Sequence, residues 1–274
     1  METQQAKAST FLELHRGSSP LLLPNPWDAG SARLFEWLGF SALATTSSGM
    51  AATMGLLDGS LDRDQVLVRA AAVVGATALP VSADLENGFG DDPATVAETV
   101  RLALDTGLAG CSIEDYTRNP EDPIYERGLA GERIGAAAEA AHAGPDRLVL
   151  TGRCENHLHG RDDLADTIER LQAYQDAGAD VLYAPGLTSL GDITRVVAAV
   201  DRPVNVLARP GGPTVPELAR AGVSRVSVGG ALCFAALGAV VDAARQLMDT
   251  GTYSFADQAA VGVAAARAAF ANRT

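Results

Sequence analysis

Four times along this chain a helix-like, alanine-rich segment ends at a glycine and gives way to a short apolar run: FEWLGFSALATT, LALDTGLAGCSIED, YQDAGADVLYAP and LARAGVSRVSVGG. Gly39, Gly107, Gly178 and Gly222 stand where a helix C-terminus favours a residue free to adopt positive φ. The run after each reads as a buried parallel strand. With LLLP (residues 21 to 24), LPVSAD (79 to 84), RLVLTGR (147 to 153) and PVNVLA (203 to 208), eight strands are separated by helical patterns. Eight such units make a TIM barrel, so the expected fold class is α/β, a (β/α)8 barrel. A doubly wound open sheet is the competing arrangement. No long polar linker divides residues 1 to 274, and a single barrel domain is expected, with an extra amphipathic helix at about 3 to 16 and C-terminal helices within about 231 to 272. The last of these, in FADQAAVGVAAARAAFANR, is apolar on much of its circumference and needs a surface to cover it, such as another subunit.

Composition narrows the partners. A net charge of -13 leaves no clustered Lys and Arg for a phosphate backbone, so neither nucleic acid nor an anionic membrane surface is expected as a partner. The first twenty residues lack the apolar stretch of a secretory signal, and no run elsewhere reads as the ~18 apolar residues of a spanning helix, so a cytoplasmic location is expected. Cys111, Cys154 and Cys233 have no zinc-like spacing and read as reduced, buried thiols.

A barrel places its chemistry at the C-terminal ends of the strands. The exits supply Asn25 and Asp28, Thr46 to Gly49, Asp84 and Glu86, Glu114 and Asp115, then Arg153, Glu155 and Asn156, and finally Asn205 or Arg209. In VSADLENGFGDDP (81 to 93), Asp84 and Glu86 lie two apart on a strand exit and are expected to share the side facing the mouth. Asp91 and Asp92 read as architecture, Asp92 capping a helix whose first residue is Pro93. Several carboxylates at one mouth raise each other's pKa unless a cation neutralises them. An all-oxygen set suits a hard ion, Mg2+ or Mn2+, better than Zn2+. A metal-free carboxyl pair acting on a glycosidic bond is the alternative, and 5% aromatic residues offer it little stacking surface. TTSSGM (45 to 50) is a hydroxyl-rich turn able to cradle a carboxylate or phosphate, or simply to cap a helix. Arg153 is a bidentate partner for the same anion. His157 and His159 read first as hydrogen-bonded loop residues and second as proton donors, and Trp27 as core or pocket wall.

NPWDAGSARL, ATTSSGMAATMGLLDG, ADLENGFG, SIEDYT and GRCENHLHG, in that order, resemble the isocitrate lyase and phosphoenolpyruvate mutase superfamily from about residue 20 to 230. The resemblance implies a barrel whose last helix swaps between paired subunits, a homo-oligomer built as a dimer of dimers. It implies Asp84 as the direct Mg2+ ligand, with Asp58, Glu86 and Glu114 holding metal-bound waters. Thr46 and Ser47 would bind a substrate carboxylate through backbone amides, Arg153 would contact its oxygens, and Asn205 matches a pocket asparagine. Arg153, Asp58 and Glu114 carry the catalytic expectation.

The activity so implied is a Mg2+-dependent lyase that cleaves a C–C bond in a small 2-oxo or 2-hydroxy di- or tricarboxylate through a metal-stabilised enolate. A P–C bond enzyme, phosphonopyruvate hydrolase or phosphoenolpyruvate mutase, is the first alternative, and a 2-oxo acid binding protein without turnover the second. The chain departs from the family in two places. The K-[KR]-C-G-H loop of isocitrate and methylisocitrate lyases is replaced by YTRNPEDPIYERGLAG, with Arg118, Asn119 and Arg127 but no cysteine, and the sixth strand exits into Pro185 instead of a glutamate. Both argue against isocitrate lyase activity proper.

Overall fold

The computed structural model describes residues 3–271. Its eight strands fall at the four glycine-punctuated runs and the four further apolar runs: β1 Leu21–Leu23, β2 Leu43–Ala44, β3 Val81–Asp84, β4 Gly110–Glu114, β5 Val149–Arg153, β6 Val181–Tyr183, β7 Val204–Leu207 and β8 Arg225–Ser227. All pairings are parallel, in the order β1-β8-β7-β6-β5-β4-β3-β2. The β1/β2 seam is drawn together by the Ala44 N–H donating to Pro24 O at 3.1 Å. Asn25 reinforces it, donating to Thr45 O at 3.1 Å and accepting from Gly229 N at 2.8 Å. The arrangement is a (β/α)8 TIM barrel, not an open sheet. Gly39, Gly107, Gly178 and Gly222 all have positive φ, as the helix-ending role requires.

Between the strands run α2 (Ala29–Trp37), α3 (Ser47–Ala52), α4 (Arg63–Ala76), α5 (Pro93–Leu104), α6 (Arg127–His142), α7 (Leu164–Asp176), α8 (Leu190–Ala199) and α9 (Val215–Arg220). Outward-facing strand residues such as Val81, Ala83, Cys111, Ile113, Leu150, Leu182 and Val206 are buried against this helical ring. Each fully buried Val, Leu or Ile contributes about 1.5–3 kcal/mol. Residues at alternate positions point inward and are mostly polar: Ser82, Ser112, Thr151, Asn205, Arg225 and Ser227. Barrel interiors are usually packed with branched aliphatics. Here the apolar cluster of Leu21, Leu23, Val149 and Val181 fills the N-terminal end, and most of the lining above it is polar.

That end is stopped by α1 (Gln4–Leu14), whose fully buried Ala8 and Phe11 pack on Leu21, Leu23, Val149 and Val181. Gln4 donates from Nε2 to Leu108 O and Arg147 O, both at 2.7 Å. The fit depends on Gly110: a Cβ there would sit 2.7 Å from Val149 O and 2.9 Å from the Phe11 ring. The opposite, open end carries the site.

Two C-terminal helices follow β8, α10 (Ala231–Thr250) and α11 (Ala256–Phe270); residue 272, the end of the expected helical stretch, lies outside the described residues. Cys233 is the one buried residue of α10, and α11 packs along α2. Leu232, Phe234, Leu237, Val240, Val241, Val261 and Val263 are exposed. By length and composition alone α10, with mean hydropathy 1.4, is long and apolar enough to cross a membrane. Asp242, Arg245 and Asp249 interrupt its apolar run, which stays short of the ~18 consecutive apolar residues sought in the sequence.

Candidate active site

Two cavities adjoin at the C-terminal mouth of the barrel. The inner one, about 180 Å³, is walled by Thr46, Ser47, Asp84, Tyr183 and Asn205, with Arg225 beneath. The outer one, about 560 Å³, is lined by Glu86, Glu114, Tyr116, Arg118, Glu155 and His159. Ser47, Asp58 and Arg153 line both and form the partition.

Local chemistry fixes each wall. Thr46 precedes α3 in extended conformation and Ser47 begins it, which aims the Ser47 N–H at Asp84 Oδ2, 3.5 Å away. Thr45 Oγ1 accepts from the Asp84 backbone N–H at 3.0 Å, so the turn after β2 and the end of β3 are tied together. The bend after β3 is held from behind by Arg133, a buried guanidinium that donates to Gly90 O and Asp91 O at 2.6 Å each and lies over the Tyr125 ring. Asp115 faces away from the mouth, accepting from Tyr174 Oη at 2.5 Å and Arg170 at 3.2 Å, which makes it a strut beneath the loop after β4.

Arg153 dominates the electrostatics. Its guanidinium lies 3.2 Å from Glu114 and 3.6 Å from Asp84 and pairs directly with Glu155. Burial works against its charge, but those three carboxylates outweigh it and raise its pKa. Glu155, also opposed by burial, is held ionised by Arg153 and by His159, 3.5 Å away. The remaining acids are short of positive charge. Burial, then the Asp84 charge, pushes Glu86 up to about 7 despite Arg118. Glu114 is raised by burial, which Arg153 only partly offsets, and by Glu155, Asp84 and Glu86. Asp58, on an exposed loop, is raised by desolvation of its carboxyl and by Asp84, against a hydrogen bond from Ser47.

The expected site residues Thr46, Ser47, Asp58, Asp84, Glu86, Glu114, Arg153 and Asn205 all line one cavity or both. One geometric expectation needs correction. Strand β3 ends at Asp84, and Glu86 has φ 50°, so the two carboxylates do not share a strand face. A turn brings them together, with the Glu86 N–H donating to Asp84 Oδ1 at 3.1 Å. Asp28 and Asp91 are structural: Asp28 caps α2 through Ser31, and Asp91 accepts from Tyr125 Oη. His157 bonds Thr167 at 3.1 Å, whereas His159 stacks on Tyr116, centroids 4.0 Å apart, at the rim of the outer cavity. Among the described residues no cysteine lines either cavity, and Cys111, Cys154 and Cys233 are buried thiols. Sequence reasoning missed Arg225, Tyr183, Ser82, Ser112 and Ser227. Their signal was the alternation of polar with apolar residues inside strands such as VSAD and RVS.

Comparison with known proteins bears on the family and the fold. Residues 11–248 match the family described as phosphoenolpyruvate phosphomutase. A crystal structure from Burkholderia cenocepacia J2315, described as a candidate lyase or mutase, is 54% identical with a TM-score of 0.90, covering 93% of this chain and 92% of that one. Oxaloacetate acetylhydrolase in complex with oxalate is 26% identical with a TM-score of 0.83, over 92% of this chain and 90% of that one. The 2-methylisocitrate lyase of Escherichia coli (strain K12) is 30% identical over 194 residues, 68% of this chain and 64% of that protein. The chain belongs to the phosphoenolpyruvate phosphomutase family, within the isocitrate lyase/PEP mutase superfamily of enzymes.

Proposed function

We propose that this protein is a lyase that uses a hard divalent cation, Mg2+ or Mn2+, to cleave a C–C bond in a small 2-oxo or 2-hydroxy di- or tricarboxylate. The observation that carries the reading is the division of one mouth by Arg153: hydroxyls and an amide on the inner side, under-neutralised carboxylates on the outer. Relatives named for lysis of 2-methylisocitrate and hydrolysis of oxaloacetate support the carboxylate class.

The donor set fits a hard ion of limited direct contact. Among the described residues no three His, Cys, Asp or Glu side chains converge as a ready-made cage. One carboxylate, Asp84, at the junction with Asp58, Glu86 and Glu114 in the surrounding wall, suits an ion that keeps several waters. The burial that raises Glu86, Glu114 and Asp58 is what added positive charge would offset. A bound ion would supply Lewis-acid stabilisation of charge developing on the 2-oxygen.

The chain's own groups do the rest. Backbone N–H groups of Thr46 and Ser47 receive the substrate carboxylate, and Asn205 offers its amide from β7. Arg153 lies against the oxygen toward which the electron pair moves as the C–C bond breaks, and its charge is held through the reaction by Glu155 and Glu114. Tyr116, Arg118 and His159 close the outer side, where the departing fragment is accommodated and water is restricted. The exposed faces of α10 and α11 are surfaces that a helix-swapped dimer of dimers would cover.

The family description favours one second reading, P–C bond chemistry on phosphonopyruvate. A substrate panel in Mg2+ with and without chelator separates the cases. The proposal expects metal-dependent consumption of oxaloacetate, 2-methylisocitrate or a related acid. Phosphate or phosphoenolpyruvate formed from phosphonopyruvate would support the second reading, and tight 2-oxo acid binding with no turnover would make the protein a binder.

A further inference from the structure

Beneath the inner cavity lies a cation that binding of a 2-oxo acid, as described above, does not employ. Arg225 belongs to β8, points into the barrel and is 4% exposed. Its hydrogen-bond partners are all neutral: Asn205 Oδ1 at 3.0 Å from Nε, Thr151 Oγ1 at 3.1 Å, and His15 Nε2 at 3.2 Å. Burial lowers its pKa to about 10, which leaves it charged at neutral pH. A buried guanidinium with only neutral partners is costly to maintain, and an anion entering the cavity above it offsets that cost.

The polarity of this chain of bonds can be assigned throughout. Burial and the neighbouring Arg225 charge push the His15 pKa down to about 3, so its ring is neutral. With Phe11 O 2.8 Å from Nδ1, the proton sits on Nδ1 and Nε2 is free to accept from Arg225. Arg225 Nε then fixes which end of the Asn205 amide is oxygen. The Asn205 nitrogen donates one N–H to Ser227 Oγ at 3.0 Å and retains the other for the cavity it lines. Without a donor at Oδ1 the amide is free to flip, and an acceptor would face the substrate carboxylate in half of its orientations.

Building on the proposed function, we infer that Arg225 is a positioning residue for substrate recognition. Anchored by His15 at the end of α1, it orients Asn205 as a donor and keeps the cavity floor positive, which selects small dianions. The N-terminal helix thereby acts on the site as well as sealing the barrel.

The test is calorimetric binding of oxalate in Mg2+, with thermal melting recorded in parallel. Arg225→Met is expected to weaken oxalate by about tenfold or more at temperatures well below its melting point, and Arg225→Lys to recover part of that loss. His15 touches neither cavity, so His15→Leu should weaken oxalate by about threefold, while His15→Gln, which restores an acceptor, should stay within about twofold of the unmodified chain. If Arg225→Met does not fold, the His15 pair decides alone. Unchanged affinity in Arg225→Met or, failing that, in His15→Leu, even with lowered melting temperatures, would mean a purely structural role and overturn the inference while leaving the proposed function intact. No oxalate binding by the unmodified chain would overturn both.

Discussion

Asp84→Ala is expected to lower Mg2+-dependent turnover by about 10³-fold or more, the scale set by loss of several kcal/mol of Lewis-acid stabilisation. The carboxylate ends β3 at the junction of the two cavities, 3.5 Å from the Ser47 N–H and 3.6 Å from Arg153. Among the described residues the neighbouring acids are Asp58, Glu86 and Glu114, and Asp58 stands on the exposed loop that lines both cavities. Glu86 is turned toward Arg118, and Glu114 is engaged with Arg153. Because Asp84 repels Glu86 and Glu114, its removal relieves like-charge crowding, and the melting temperature of the metal-free protein should be unchanged or slightly raised. Steady-state rates and a thermal melt on the same sample check both parts. Turnover within tenfold of the unmodified enzyme would remove Asp84 from the metal's direct coordination.

Arg153→Met should abolish activity and also destabilise the fold, by about 3–5 kcal/mol, the usual cost of stranding a buried ionic partner. Its partners Glu155 and Glu114 are buried at 3% and 10% side-chain exposure. The contrast is Arg118→Met at the rim, where a guanidinium 33% exposed pairs with Glu86 and about 1 kcal/mol or less is expected. Denaturant melts of the two variants measure the difference. Equal destabilisation would mean that the partition between the cavities is not held by Arg153.

The barrel was readable because each of its helices needs an ending, and Gly39, Gly107, Gly178 and Gly222 mark four of them just before an apolar run. The acids of the site were readable for a related reason: Asp84 and Glu114 follow directly on buried strand residues, where charge must have a purpose. What escaped was the interior. With two to five residues per strand, period-two alternation has too few repeats to stand out, so Arg225 in RVS and Tyr183 in VLY looked like parts of apolar runs. Glu86 was placed on the wrong geometry for a different reason. Its positive φ depends on the turn that Arg133 clamps from α6, forty-seven residues later in the chain, and local spacing carries no trace of that contact.

The central claim, that one barrel mouth holds a divalent ion and a 2-oxo acid together, is met most directly by a crystal structure with Mg2+ and oxalate. The expected result is an ion bound directly by Asp84, reached through water by Asp58, Glu86 and Glu114, with oxalate between the Thr46–Ser47 backbone and Arg153. Oxalate bound elsewhere, or seated in the inner cavity with no ion beside Asp84, would contradict it.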